Sequence, residues 1–318
     1  MTTTAEPTRV WSRPTLFSFG FRPFFLGGAI WAALAMVLWL GVLSGLIALP
    51  TALDPVSWHA HEFLFGYLGA VIAGFMMTAV PNWTGRMPIV GWPLALLFAL
   101  WVLGRIAVGL SSLLPWLAIA LIDLGFVLAL TMVMTREIVA AGNWRNLMVV
   151  ALLASFIAGN GLFHWEVAQG VHAAQGYGLR LGLAAAILLI AFIGGRIVPA
   201  FTRNWLAQRG ATRLPPPPMQ RFDGIALLAL LGALAVWMLW PVHWVTSAAL
   251  LLAGVLHACR LVRWSGRRRW ASRWSGCCMR RTPSCRLALW PKAPRYSGPG
   301  RLARHRRCIS GWPELWGS

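Results

Sequence analysis

Eight apolar stretches, each about long enough to cross a bilayer, fill the chain from Phe24 to Leu261, and nothing else in it limits the possible folds so strongly. A hydrocarbon core of ~30 Å takes ~20 apolar residues of helix to span. The stretches run Phe24–Leu49, Trp58–Val80, Trp92–Leu110, Leu113–Thr135, Leu147–Trp165, Leu179–Val198, Ile225–Trp240 and Val245–Leu261. Between them lie turn-forming residues, among them Asp54-Pro55, Pro81-Asn82 with Gly85, Gly142-Asn143 and the Pro215–Pro218 run. Lipid satisfies no exposed backbone groups, so helices are the open-ended way to span it. The expected fold is all-α, a polytopic transmembrane bundle of about eight spans. A soluble domain of 318 residues could not hide a chain that is 58% hydrophobic and 11% charged.

A formal charge of +20 first suggests nucleic acid, but its distribution argues against such a partner. More than half of the excess lies in residues 265–318, which hold 12 Arg and Lys292 against Glu314. Of the earlier arginines outside the spans, 13 fall on one side of the membrane and Arg180 alone on the other. Positive charge is retained on the cytoplasmic side, which places the N-terminus there. Met1 to Phe19 is polar and lacks a cleavable apolar core, so the first span is expected to insert uncleaved. The expected domains are a cytoplasmic segment (1–23), a transmembrane helical domain (24–262) and a basic, disordered tail (263–318).

The tail has five Trp, four Cys and the Arg267-Arg268-Arg269 run, but no apolar run of helical length. Disordered arms are ordinarily poor in Trp and Cys. One Lys against 27 Arg points to GC-rich codons, which yield such a composition when read out of frame. The stretch GCCMRRTPSCRLALW can be encoded by codons that, read two bases over, spell the apolar string LLHAAYAFLPLGLV. A shifted frame after about Trp264 is the expectation. Only Cys259 precedes the tail, and no CxxC or CxxCH occurs, so any haem would be held non-covalently.

Ionisable side chains inside a bilayer are costly and point to function. His59, His61, His164, His172 and His243 gather at or near the outer face, with Asp54, Glu62 and Glu166. Neutral imidazole is a common ligand of copper, zinc and haem iron. In Trp58-His59-Ala60-His61-Glu62 the two histidines would point ~200° apart on a regular helix. Either each serves a different centre, or the helix starts within the motif and leaves its geometry open. Glu62, three residues after His59, is a candidate ligand, hydrogen-bond acceptor for a ligand, or proton carrier. The competing reading is that interfacial His and Trp anchor helix ends, and for the loop residues His172 and His243 that reading prevails.

Arg105 and Asp123 sit in neighbouring spans joined by a short turn, which suits a buried pair whose default role is mutual neutralisation. Gly194 to Trp205 leaves the sixth span, with Pro199 expected to break or kink the helix. Arg196 and Arg203 in that segment suit haem propionates or phospholipid phosphates as bidentate donors. No nucleophile-and-base arrangement, Walker loop or GxGxxG is present, so hydrolase and ATP-driven chemistry have no support.

These residues resemble the NnrS family of haem- and copper-containing bacterial membrane proteins associated with nitric oxide and denitrification. The likeness rests on FRPFF at Phe21–Phe25, HAHE at His59–Glu62 and VIAGFMMTAVPNWTGR at Val71–Arg86, with NWRN at Asn143–Asn146 and GGRIVPAFTRNW at Gly194–Trp205. It implies about twelve helices, haem and copper as cofactors, and protection from nitrosative stress. Family members continue with further spans bearing more histidines, including a Thr- and His-rich segment, so this chain is expected to be a truncated member. The resulting expectation is a multi-pass protein of the bacterial inner membrane that binds haem, copper or both. Its metal would be held by His59, His61, His164 and Glu62, and an anionic cofactor group by Arg196 and Arg203. The expected partners are the lipid bilayer and nitric oxide or quinol. Two alternatives stay open: a small-anion or metal transporter using Arg105, Asp123 and Glu62, and a quinol-linked nitric oxide redox enzyme.

Overall fold

The structure, a computed structural model, describes residues 15–210 and 214–264, all within one compact unit. The expected out-of-frame tail falls outside the described residues, apart from Arg263 and Trp264. Eight helices are long and apolar enough to cross a membrane, and no strand occurs among the described residues. They are α1 (Phe21–Leu43), α2 (Pro55–His61) continued by a π-helical turn (Glu62–Tyr67) into α3 (Leu68–Thr84), α4 (Trp92–Gly109) and α5 (Trp116–Ala140). There follow α6 (Leu147–Ala168), α7 (Tyr177–Ala207), α8 (Arg221–Leu239) and α9 (Trp244–Arg263). The chain is therefore a multi-pass membrane protein with an all-α bundle.

The span Pro55–Thr84 is the centre of the bundle. In its most apolar 18-residue stretch 67% of the residues are buried, against 17% in those of α1 and α9. Its start is set by Asp54, whose side chain accepts from the Val56 and Ser57 amides at 3.0 Å each, ahead of Pro55 in the first turn. Around it, Leu96, Leu121, Val37 and Ile190 remain exposed on outward faces, as lipid contact requires. Helices α6 and α7 pack backbone to backbone. A Cβ on Gly159 would lie 2.5 Å from the Gly182 nitrogen, and one on Gly178 would lie 2.3 Å from the Phe163 nitrogen.

Four sequence expectations are corrected. The first helix ends at Leu43 instead of Leu49. Pro81 does not open a loop: α3 runs on to Thr84 and stops at Gly85, whose φ of 68° is the left-handed conformation glycine adopts freely. Pro199 does not end its helix either, because α7 continues to Ala207. In lipid, leaving the helix would strand more backbone groups than the one carbonyl a proline frees. Finally, Arg260 is not a loop charge. It lies inside α9, 1% exposed, with Nε donating to Asp223 Oδ1 at 2.7 Å.

Candidate metal centre

Three turns, at 44–54, 110–115 and 169–176, share one end of the bundle. His61 enters from that end on α2, Arg105 sits four residues before the end of α4, Asp123 seven residues into α5, and Asn160 and His164 near the end of α6. At 1.5 Å per residue all lie within roughly 6–12 Å of that face. Antiparallel neighbours thus bring residues on different helices, 18 positions apart for Arg105 and Asp123 and 99 for His61 and Asn160, to one depth.

The side chains form one buried network. His61 Nε2 lies 3.2 Å from Asp123 Oδ2 and 3.0 Å from Asn160 Oδ1, and His61 Nδ1 lies 3.1 Å from Glu62 Oε1. His164 Nε2 lies 3.0 Å from the same Asp123 Oδ2, which also accepts from Asn160 Nδ2 at 2.7 Å. Arg105 clasps both carboxylates: Nη1 donates to the two Glu62 oxygens at 2.9 Å each, and Nη2 donates to Asp123 Oδ1. Trp31 Nε1 on α1 donates to Glu62 Oε2 at 2.7 Å. His61 and Glu62 are fully buried, and Phe65, Phe163 and His164 crowd the His61 ring at 5.3, 5.2 and 5.1 Å between ring centres.

The π turn helps make this possible. A π turn widens the helix by one residue and recurs at functional sites. Here it contains Gly66, where a Cβ would stand 2.5 Å from Arg105 Nη1, so the guanidinium can press against the helix. The Gly66 carbonyl accepts from Trp101 Nε1 at 3.0 Å.

Charge sets what the network can hold. It contains two carboxylates and one guanidinium, leaving one negative charge in a low-dielectric interior where an uncompensated charge is costly. Every polar atom that faces the His61 ring nitrogens is an acceptor oxygen, apart from the Asn160 amide, whose orientation the network assigns. A positive species belongs between those groups: a proton, or a metal cation on Nε2. The His61, His164 and Asp123 donor atoms lie within 4.8 Å of one another, close enough to hold one ion. For metal–ligand bonds of ~2.1 Å, adjacent ligands stand roughly 3 Å apart, close to the 3.0 and 3.2 Å seen around Asp123. A porphyrin does not fit there, because the Asp123 carboxylate stands beside both imidazole nitrogens where the ring plane would lie.

The predicted residues divide accordingly. His61, His164 and Glu62 meet in the cluster, but His59 does not. Helix α2 begins ahead of the HAHE motif, so the open-geometry alternative does not apply. The His59 ring stacks on Trp39 (3.9 Å, 17°) and leans on Phe63, and its Nδ1 is buried without a partner. Arg196 and Arg203 also stand apart. Arg196 lies about 28 Å along α7 from Tyr177, toward the opposite end of the bundle. Its Nη1 donates to Asn146 Oδ1, and Arg203 Nη1 donates to the Pro215 carbonyl at 2.9 Å. His172 pairs with Asp54 at 3.3 Å, and His243 caps α9 by accepting from the Val245 amide. Asn160 and Trp31 escaped sequence reasoning. Asn160 left a signal, as the lone amide in the otherwise apolar Ala158–Gly161 stretch.

A protein-family model described as NnrS protein matches residues 15–277. The chain belongs to the NnrS family. Its HAHE, Arg105, Asp123 and Asn160–His164 positions all fall inside the matched region, which runs past Trp264. No curated protein and no solved structure matches the chain. NnrS membership carries, in general terms, a place among membrane proteins of the nitric oxide response.

Proposed function

We propose that this NnrS protein holds a single transition-metal ion on His61 Nε2, His164 Nε2 and Asp123, at the outer side of the bacterial inner membrane. The reading rests on one observation above the others: a buried carboxylate in excess of arginine faces two imidazole nitrogens at ligand spacing. Copper is the ion that the family resemblance favours, and imidazole nitrogen with carboxylate oxygen is a donor set that copper accepts. The orientation, with the N-terminus cytoplasmic, rests on the arginine bias of the loops and helix ends, where Arg180 stands alone on the opposite face.

The chain's own groups have distinct tasks. Glu62 accepts from Nδ1–H of His61, which fixes the tautomer that leaves Nε2 free for the ion. Arg105 holds Glu62 and Asp123 in register, and Asn160 orients the Asp123 oxygen. Phe65 and Phe163 keep water from the His61 ring. When held by His61, His164 and Asp123, such an ion would supply a Lewis-acid centre with affinity for nitric oxide, giving capture or buffering of the gas as the proposed activity. Haem, the other cofactor implied by resemblance, would take a protein ligand from His59 or His257, each of which has a buried ring nitrogen without a partner.

The test is electron paramagnetic resonance of the purified full chain loaded with Cu(II). The expected spectrum shows hyperfine coupling to two imidazole nitrogens, reduced to one in His164→Ala, with the signal quenched by nitric oxide. A wild-type spectrum that His164→Ala leaves unchanged contradicts the assignment.

A further inference from the structure

At the opposite end of the bundle a second polar cluster is built for an anion. Arg196 on α7 lies over aromatic rings, with its guanidinium carbon 5.3 Å from the Trp83 ring centre and 5.6 Å from that of Phe192. Such cation–π contact leaves the guanidinium N–H groups free to hydrogen-bond. Nη1 donates to Asn146 Oδ1. Asn146 is the N-cap residue of α6, yet its side chain makes no capping bond, because its oxygen is engaged by Arg196. The same amide's Nδ2 is buried and has no partner, in a residue that is 0% exposed. Arg145, exposed, immediately precedes Asn146 in the chain and adds a second positive charge beside it.

Two guanidinium groups of like sign, an orphaned amide N–H and the positive end of a 22-residue helix converge here. The nearby acid, Glu137, is engaged by Arg86. Among the described residues, neither Arg196 nor Arg145 forms an ion pair with a carboxylate. A phospholipid phosphodiester carries one negative charge on two unesterified oxygens, each able to accept more than one hydrogen bond, so it can accept from guanidinium and amide donors together. The position selects the source. Exposed Trp144 and half-buried Trp83 flank the cluster at a helix-end level, where aromatic residues mark the membrane–water boundary. Basic pockets between helices on the cytoplasmic side take anionic lipid headgroups.

We infer that Arg196, Arg145 and Asn146 form a site for the phosphate of an anionic phospholipid, one that clamps the α6 start to α7. Arg203, two turns further along the same face of α7, supplies added charge at the rim. This assignment does not depend on the metal centre.

The experiment is native mass spectrometry of the full chain, released from nanodiscs containing phosphatidylglycerol and phosphatidylcholine in equal amounts. Wild type is expected to retain phosphatidylglycerol in preference. Arg145→Gln lowers that preference about fivefold and Arg196→Gln about tenfold or more. Asn146→Asp keeps an acceptor for Arg196 while placing a carboxylate against the phosphate, so it abolishes the preference in a folded protein. Equal retention of the two lipids by wild type, or a preference unchanged in Asn146→Asp, overturns the site. Displacement of the lipid by inorganic phosphate overturns the lipid as its occupant.

Discussion

Two buried arginines, Arg105 and Arg260, meet carboxylates inside this bundle, and only one of them sits in the proposed metal centre. Arg260 on α9 pairs with Asp223 on α8, and its Nη1 donates to the Ala191 carbonyl at 3.1 Å. One charge meets one charge, and no imidazole takes part in these bonds. The packing is close enough that a Cβ on Gly195 would fall 1.7 Å from Nη2. That arrangement ties α7, α8 and α9 together. Arg105, by contrast, is shared between two carboxylates, and two histidines crowd the second of them. A buried ion pair is thus weak evidence of function by itself. The signal is the charge left over once the pair is made, together with lone pairs that can receive a cation.

The sharpest way to break this contrast is to remove each arginine. Arg105→Ala and Arg260→Ala should each destabilise the protein by about 3–5 kcal/mol, since each leaves a buried carboxylate uncompensated. Thermal unfolding in detergent reads that loss, and metal analysis reads the difference: only Arg105→Ala should lower metal binding. Equal metal loss in the two variants would remove the distinction between them. Glu62→Gln sharpens the same point with a smaller effect. It removes the excess negative charge and leaves only a neutral, weaker amide acceptor toward His61, so copper affinity measured by competition titration should fall about 10–100-fold. An unchanged affinity would mean that Glu62 serves Arg105 alone.

The smallest effect belongs to the entrance of the central span. Partial burial raises the Asp54 pKa, but the hydrogen bonds from Ser57, the charge of His172 and the Val56 amide outweigh it and hold the carboxyl below its ordinary 3.8. A lowered carboxylate pKa stabilises the folded state above the unfolded value, and that contribution fades as pH falls through the folded one. Asp54→Ala should therefore cost about 1 kcal/mol near neutrality and little at strongly acid pH. A cost independent of pH would point to the helix start being held by Pro55 instead.

The spans were legible because lipid imposes a length, and length is written directly in apolar residues. Their interior ends were less so. Pro81 read as a break and Pro199 as a break or a kink by the rules of water-exposed helices, whereas in lipid the helix continues past both. The pairing of Arg105 with Asp123 was legible from a short turn between adjacent spans. Asn160, Trp31 and the Arg260–Asp223 pair were not, since helices apolar on every side give no indication of which face meets which neighbour. The π turn left no mark in the sequence beyond Gly66. HAHE read as a ligand pair with two possible geometries, and the start of α2 at Pro55 decides which geometry exists.

His59 and His61 are two residues apart and point to different surroundings, which makes them their own control. Copper content per chain, measured by inductively coupled plasma mass spectrometry on His61→Ala and His59→Ala purified side by side, tests the proposed centre most directly. The account predicts that His61→Ala loses the ion while His59→Ala retains it. Full copper content in His61→Ala would contradict it.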